Sequence, residues 1–191
     1  MKKSAMFAVL FAGIASLFAE EAKKPDMADG FENVYKNEAG TPKNDDWRIN
    51  NSAFMPKDGT YAIVTDAKSG KYALQLTANG DGKGYGVYGG GLPVIVTPES
   101  KVDISFWAKG KGAVNVGFNG YDSQNKWVGG STVVSEMKLD SENEWKEQKV
   151  QLVVPAISAI GYIFIIFELK PGSSAILDAV SVTVAKKEDG K

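Results

Sequence analysis

The sequence contains neither cysteine nor histidine among its 191 residues. Without cysteine the chain can form no disulfide framework, and it offers no attachment point for a bacterial lipoprotein anchor. Without histidine it lacks Ser-His-Asp and Cys-His catalysis, the usual zinc sites and the ordinary pH switch. Any function must therefore come from other side chains.

An excess of positive charge is also missing. The chain has 22 basic and 23 acidic residues, for a net charge of −1, and both signs are spread along the sequence. A protein that binds nucleic acid normally carries a basic patch that neutralises phosphates. The charge distribution therefore predicts no nucleic-acid partner.

The one apolar run long enough to be considered as a membrane segment lies at the start of the chain. Lys2 and Lys3 precede an apolar stretch at residues 6–18, which is the pattern of a secretory signal peptide. We place its end at residue 19, with cleavage after Ala15 and an uncleaved anchor as alternatives. No second run of this length follows, so no membrane span is expected after removal of the signal. Export to the periplasm, the cell surface or the medium is expected.

The rest of the chain shows no helical periodicity. Short segments of period-2 alternation are separated by Gly, Pro, Asn and Asp turns, which is typical of an all-β antiparallel β-sandwich. About nine to eleven strands at this spacing predict a jelly roll. We assign the sandwich to residues 29–184, a linker to residues 20–28 and a charged tail to residues 185–191.

Residues 101–130 form the centre of the predicted fold. Apolar residues alternate with polar ones in two runs that flank the sequence KGKG at residues 109–112, which predicts a β-hairpin. The residues that alternate with the apolar ones include flat aromatics and short amides. Such side chains suit stacking on a sugar ring and hydrogen bonding to its hydroxyls. The candidate sugar-binding residues of this segment are Trp107, Asn115, Asn119, Tyr121 and, on the following loop, Trp127.

The length of the hairpin loop decides where Trp107 points. An even loop that pairs Ala108 with Ala113 would place Trp107 in the core, whereas an odd loop or a bulge would turn it outward. The residues alone leave both arrangements open.

A glycine-rich stretch, NGDGKGYGVYGGG, occupies residues 79–91. Glycine excludes a helix here, and Tyr85 and Tyr88 are its isolated aromatics. One interpretation is a flexible or bulged strand with both tyrosines partly packed. The other is a loop at the edge of a ligand site, which makes Tyr85 and Tyr88 further candidate binding residues. Trp47 and Trp145 are expected in the core.

Several segments, taken in order, resemble one known family. They are DGFE at 29–32, SGKYALQL at 69–76, VDISFWAKG at 102–110, EWKEQKVQLVVP at 144–155 and AILDAVSV at 175–182. The chain resembles the cellulase-associated carbohydrate-binding modules of the family 4/9/22 type, within the galactose-binding-like jelly rolls. The resemblance implies two antiparallel sheets, a glycan site on a concave face or an edge cleft, and no catalysis.

The resemblance also implies a structural calcium ion near the chain termini. The usual ligands of the family fall on Glu32, on Asp178 and on backbone oxygens around Lys71, and oxygen ligands suit calcium. Ala179 stands where the family commonly has a second acid, so one ligand is missing. The alternative is that Glu32 and Asp178 are ordinary carboxylates at strand ends.

The sequence thus predicts a secreted, non-catalytic protein that binds polysaccharide or oligosaccharide, with plant cell-wall glycans among the candidate ligands. One alternative is an envelope or adhesion protein that binds a protein partner through the same sandwich. Another is a small jelly-roll glycosidase, which requires two carboxylates facing each other across a cleft. Its candidate acids are Glu136, Glu147 and Glu168.

Overall fold

The computed structural model describes residues 25–37, 42–49, 56–129 and 134–185. The predicted signal peptide, residues 20–24 of the predicted linker and all but the first residue of the predicted tail lie outside these ranges. Within them, no helix is long and apolar enough to cross a membrane. The described chain is built almost entirely of strands, which confirms the all-β prediction.

Thirteen strands and one short 3₁₀ helix, Pro56–Asp58, make up the described residues. The strands are β1 (Met27–Asp29), β2 (Tyr35–Lys36), β3 (Pro42–Lys43), β4 (Arg48–Ile49), β5 (Gly59–Val64), β6 (Ala73–Ala78), β7 (Tyr85–Tyr88), β8 (Val94–Ile95), β9 (Lys101–Tyr121), β10 (Trp127–Gly129), β11 (Val134–Val153), β12 (Tyr162–Leu169) and β13 (Ser174–Ala185).

Eleven of these strands form one antiparallel sheet that curls into two layers, and β2 and β3 pair separately. The first layer contains β5, β6, β13 and β1 beside residues 101–111 of β9. The second contains β4, β7, β8, β10 and β12 beside residues 114–121 of β9. The layers face each other, since Phe106 of the first and Phe167 of the second have ring centroids 4.9 Å apart.

The predicted hairpin at residues 109–112 is wrong. β9 continues through KGKG as one strand of 21 residues and passes from the first layer to the second. A continuous strand keeps its alternation, so the even-numbered residues of 102–108 and of 114–118 point into the core on both sides of the bend at residues 109–112, which we call the corner. Trp107 consequently points outward without the odd loop or bulge that a hairpin would have needed.

Glycine at the corner is required by the turn between β12 and β13. At this point the neighbour of β9 changes from β13 to β12. The buried Ser173 fills the gap between these two strands, which we call the fork. The Ala113 N–H donates to Ser173 Oγ over 3.0 Å. Gly112 has φ +89°, and a Cβ there would collide with Ser173 Oγ. KGKG therefore provides a close approach of two chains rather than a reversal of direction.

β11 follows β9 along both layers. A bulge interrupts its pairing with β9: four residues, 142–145, stand opposite Lys109 where the register shifts between Ser141 and Lys146. The expectation that Trp145 lies in the core is wrong: it lies in this bulge, half-buried, with the Lys109 Nζ 5.0 Å from its ring centroid. The extra residues let the bulged strand bend where β9 turns the corner.

A row of aromatic rings joins the layers at the centre of the core. Trp47 is buried, as expected, and its ring lies 5.4 Å from both Phe31 and Phe167. Its indole Nε1 donates to Asp29 Oδ2 over 2.5 Å, which gives the buried N–H a partner. Tyr85 is also buried, on the inner face of β7.

Candidate functional site

The outer face of the second layer collects the aromatic and amide side chains that the sequence emphasises. Residues directly opposite each other in antiparallel strands share a face. The pairing of β9 with β12 therefore places Tyr121 beside Tyr162, Asn119 beside Phe164 and Asn115 beside Glu168. All these residues lie opposite the inward row of β12, whose members are buried: Ile163, Ile165, Phe167 and Leu169.

One edge of this face is apolar across four neighbouring strands. Ile95, Tyr162, Tyr121 and Trp127 are successive register partners on β8, β12, β9 and β10, and we call them the aromatic row. Its two end residues are open to solvent, with Ile95 74% and Trp127 56% exposed. The Tyr121 and Tyr162 rings are stacked, with centroids 5.5 Å apart and planes 10° from parallel.

The apolar surface continues one position inward along the strands. Phe164 is half-buried and makes edge contacts with Tyr121 and Tyr162, with ring centroids 5.3 Å away in each case. Tyr88, on β7, lies 6.1 Å from Phe164 in the same manner. Burial raises the pKa of Tyr121, so its hydroxyl stays protonated and available as a donor at neutral pH. Four aromatic rings thus form one partly exposed cluster.

The loop after β9 holds this cluster in place. Asp122 Oδ1 accepts hydrogen bonds from the backbone N–H of Gln124 and of Lys126, over 2.8 and 2.9 Å. Asn125, at φ +63°, then accepts from the Tyr162 hydroxyl over 2.7 Å. Asparagine tolerates this left-handed conformation better than most residues. The polar loop therefore fixes the orientation of Tyr162 and leads directly into Trp127.

The far end of the same face is polar. Gly86, Glu168, Asn115 and Glu136 are successive register partners on β7, β12, β9 and β11, and we call them the polar row. It lies six residues along β9 from the aromatic row, roughly 20 Å at the rise of a strand. Burial raises the pKa of Glu168, whereas Glu136 forms an ion pair with Lys170 at 3.4 Å.

The amides of Asn115, in the polar row, and of Asn119, between the two rows, keep free hydrogen-bonding capacity. Asn115 and Asn119 are only 7% and 9% exposed. Among the described residues, neither side chain has a hydrogen-bond partner. Within the described part of the chain, Asn44 Nδ2 is the one side-chain nitrogen or oxygen that is buried without a partner, so the amides of Asn115 and Asn119 stay open to water or to a ligand.

The structure therefore brings five of the seven predicted sugar-binding residues to one face: Tyr88, Asn115, Asn119, Tyr121 and Trp127. Tyr85 is corrected to a core residue, because it alternates with Tyr88 on β7 and is 1% exposed. Trp107 points outward, but from the first layer, on the opposite side of the sandwich. Sequence reasoning missed Tyr162 and Phe164, whose signal was the apolar character of both sides of β12.

The surroundings of Trp107 differ from those of the other predicted sugar-binding residues. The Lys68 Nζ lies over its ring, 4.2 Å from the centroid, and Glu147 is its register partner on β11. Nearby, Lys109 pairs with Asp66 at 2.7 Å. Both contacts hold the loop between β5 and β6 against the outer face of the first layer. Trp107 thus anchors a loop with one face of its ring.

The residues expected to hold calcium also converge, at the junction of the N-terminal segment with β13. Asp178 is fully buried, and Glu32 lies close to it: a Cβ on Gly30 would be 3.8 Å from both Asp178 Oδ1 and Glu32 Cγ. However, both carboxylates accept hydrogen bonds from backbone N–H groups of residues 68–72. These donors do not fit a cation. Among the described residues, no group of three or more His, Cys, Asp or Glu side chains is arranged to hold a metal.

Comparisons with known proteins address the fold. No protein-family model matches the sequence, and no curated protein matches it. Among solved structures, the CBM22-1 xylan-binding domain of Xyn10C from Paenibacillus barcinonensis has a TM-score of 0.54 at 15% identity. That match covers 87% of this chain and 99% of the other.

Two further structures belong to longer chains. The CBM22-1-GH10 modules of xylanase Xyn10B from Clostridium thermocellum, complexed with xylohexaose, give a TM-score of 0.55 at 14% identity over 85% of this chain and 29% of that one. Tailspike protein 4 of bacteriophage CBA120 gives 0.53 at 14% identity over 74% of this chain, which spans only 20% of the tailspike chain. The chain therefore has the jelly-roll fold of carbohydrate-binding modules, as its resemblance to them predicts.

Proposed function

We propose that this protein binds polysaccharide on the outer face of its second layer, without cleaving it. The observation that carries the proposal is the aromatic row, in which the stacked pair of Tyr121 and Tyr162 lies beside the exposed Trp127. Sugar rings present a C–H face that packs on aromatic rings. The aromatic row offers such a surface to the sugars at one end of a bound glycan.

The amides and the polar row supply the complementary chemistry. Sugar hydroxyls both donate and accept hydrogen bonds, and an asparagine side chain can do the same. Asn119 follows directly after the aromatic row, and Asn115 lies between Glu168 and Glu136. A bound glycan that runs from the aromatic row to the polar row would satisfy amides that have no partner within the described protein. Ligand specificity would come from these polar groups and affinity mainly from the rings.

The similar structures support this choice of ligand class. One is named as a xylan-binding domain and another was determined with xylohexaose. Xylan is therefore the first ligand to test, followed by β-glucan, mannan and pectin. The predicted signal peptide supports a location outside the cytoplasm, where such polymers occur.

Affinity electrophoresis of the purified protein through gels that contain each polysaccharide tests the proposal. We expect retardation by at least one polymer. Trp127→Ala should weaken that binding by about 1–3 kcal/mol, by analogy with other stacked rings. Because Trp127 is more than half exposed, its removal should leave the fold intact. Trp107→Ala is the matched control: it removes an outward tryptophan from the opposite layer and should leave retardation unchanged.

The same samples should be assayed for new reducing ends, because one observation favours a second candidate function. Glu168 and Glu136 flank Asn115 on the proposed binding face, so two carboxylates stand two strands apart. Glycosidases use such a pair. Glu147 lies on the first layer and cannot complete it. Retardation without new reducing ends supports binding alone, whereas new reducing ends would establish hydrolysis. Absence of both retardation and new reducing ends with every polymer would contradict both functions and favour a protein partner.

A further inference from the structure

The loop between β5 and β6 is tied to the chain termini through two carboxylates. Asp178 Oδ2 accepts the backbone N–H of Lys68 over 2.7 Å and that of Ser69 over 2.8 Å. Asp178 Oδ1 accepts the N–H of Ala179 over 2.6 Å. Glu32 Oε1 accepts the N–H of Lys71 over 2.7 Å and that of Tyr72 over 2.9 Å. We call the four N–H groups of residues 68, 69, 71 and 72 the amide cradle.

The amide cradle turns the neighbouring carbonyl groups away from the carboxylates. In a trans peptide the N–H and the preceding C=O point in opposite directions, and the described chain has no cis peptide. Since the Tyr72 N–H points to Glu32, the Lys71 carbonyl points away from it. The same holds for the carbonyls of residues 67, 68 and 70. The backbone oxygens that a cation at this place would require therefore face the other way.

Asp178 has little coordinating capacity left, and on Glu32 only Oε2 accepts no backbone N–H. A carboxylate has about four lone-pair positions, and N–H groups use three of those on Asp178 and two of those on Glu32. Calcium takes about 6–8 oxygen ligands. Ala179 contributes no side-chain oxygen. A cation here would also face N–H groups that point their positive ends toward it.

The local backbone is shaped for these N–H contacts. Gly70 lies at φ +63°, and a Cβ on it would collide with Glu32 Oε1. Ala179 lies at φ +49°, a conformation that an alanine rarely adopts. Unfavourable conformations of this kind persist only where surrounding contacts determine them, and the Ala179 N–H is bonded to Asp178.

We propose that backbone amides take the place of a structural cation in this protein, so that its fold is independent of divalent metal. The amide cradle neutralises the buried Asp178 and the neighbouring Glu32 with hydrogen bonds, the role that a metal ion would otherwise have. The loop between β5 and β6 is thereby closed by the polypeptide alone. This assignment does not depend on whether the protein binds glycan.

Thermal unfolding of the EDTA-treated protein, with and without added CaCl₂, tests the proposal. We expect the same Tm within about 1 °C, whereas an ion bound at 100 times its Kd would raise Tm by roughly 5–10 °C for a chain of this size. Calorimetric titration of CaCl₂ into the EDTA-treated protein should show no saturable heat. A saturable heat together with a rise in Tm would overturn the proposal.

Two variants sharpen the result. Asp178→Asn places an NH₂ against N–H donors and should lower Tm equally in EDTA and in CaCl₂. Ala179→Asp adds a carboxylate next to Asp178, with Ala179→Asn as its uncharged control at the same positive φ. If the amide cradle excludes a cation, Ala179→Asp gains no calcium response relative to Ala179→Asn. A calcium-dependent rise in Tm in Ala179→Asp alone would show that only a missing ligand, and not the amide cradle, keeps metal out.

Discussion

Tyr121 and Tyr162 stack across the pairing of β9 with β12, with ring planes 10° from parallel and centroids 5.5 Å apart. The two rings cover part of one face of each other and together form a single, partly exposed apolar surface. The Tyr162 hydroxyl is also tied to Asn125, so its ring has little freedom to rotate. A ligand that packs on this surface would lose little free energy in ordering it.

The contribution of the Tyr162 ring can be separated from that of its hydroxyl. We expect Tyr162→Ala to weaken polysaccharide binding about 5- to 150-fold, since a stacked aromatic contributes about 1–3 kcal/mol. Tyr162→Phe retains the ring and loses only the bond to Asn125, so its affinity should fall much less. Affinity electrophoresis of both variants on the retarding polymer measures the difference. Equal losses in both would assign the effect to the loop rather than to stacking.

The Lys68 contact with Trp107 should stabilise the fold without affecting ligand binding. A cation over an indole ring at an exposed site is worth about 0.5–1 kcal/mol. In a double-mutant cycle of Lys68→Ala and Trp107→Ala, urea denaturation should give a coupling energy of that size. Polysaccharide retardation should match that of the unchanged protein in all three variants. A loss of retardation in Trp107→Ala would return Trp107 to the binding site.

The corner of β9 should not tolerate a side chain on its inner side. Gly112→Ala introduces a Cβ that collides with Ser173 Oγ at a positive φ, and we expect a loss of about 2–4 kcal/mol in the free energy of unfolding. Gly80→Ala is the matched control, because a Cβ at Gly80 would have no atom within 4 Å. Chemical denaturation of both variants checks this. Similar stabilities would mean that the fork widens without cost.

Burial of Glu168 should make the free energy of unfolding fall as pH rises, the opposite of the usual effect of an acidic residue. Burial raises its pKa above the ordinary value of 4.5, so the folded protein retains this proton at a pH where the unfolded chain has lost it. Stability therefore falls as pH rises from about 4.5 through the folded-state pKa, and then stays level. Glu168→Gln should remove this fall and show a higher Tm than the unchanged protein near neutral pH. Thermal melts of the variant and the unchanged protein across this pH range check the prediction. A difference in Tm that did not grow with pH would contradict it.

Glu168→Gln should at the same time weaken ligand binding. A carboxylate accepts stronger hydrogen bonds from sugar hydroxyls than an amide oxygen does. A variant that is more stable and binds less well is the pattern expected of a partly buried charge kept for function. Retardation unchanged in Glu168→Gln would place the polar row outside the binding site.

Local alternation was sufficient to predict the strands and the orientation of their side chains within each run. It identified the inward rows of residues 102–108 and 114–118, and therefore Asn115, Asn119 and Tyr121 as outward residues. It could not tell that KGKG continues the strand. Glycine marks both a reversal of the chain and a close approach of another chain, and here only the distant Ser173 distinguishes them.

The same limit explains the errors in the predicted site. Trp107 and Tyr121 lie on the same outward row of β9, but the corner between them places them on opposite sides of the sandwich. Tyr85 and Tyr88 differ only in parity within a glycine-rich stretch, and their pairing with β12 decides which one is buried. Phe164 is not among the predicted site residues, because nothing local in the sequence shows that its neighbours are Tyr121 and Tyr162.

Because β9 and β11 pass through both layers, the two layers must unfold together. Each layer takes an inner strand from β9 and an edge from β11, so neither layer is a complete sheet without the segment that also builds the other. Partial unfolding of one layer would release the corner and expose the core of its partner. The sandwich is therefore a single cooperative unit. Free energy gained by a glycan bound on the second layer would protect the backbone amides of the first layer as well.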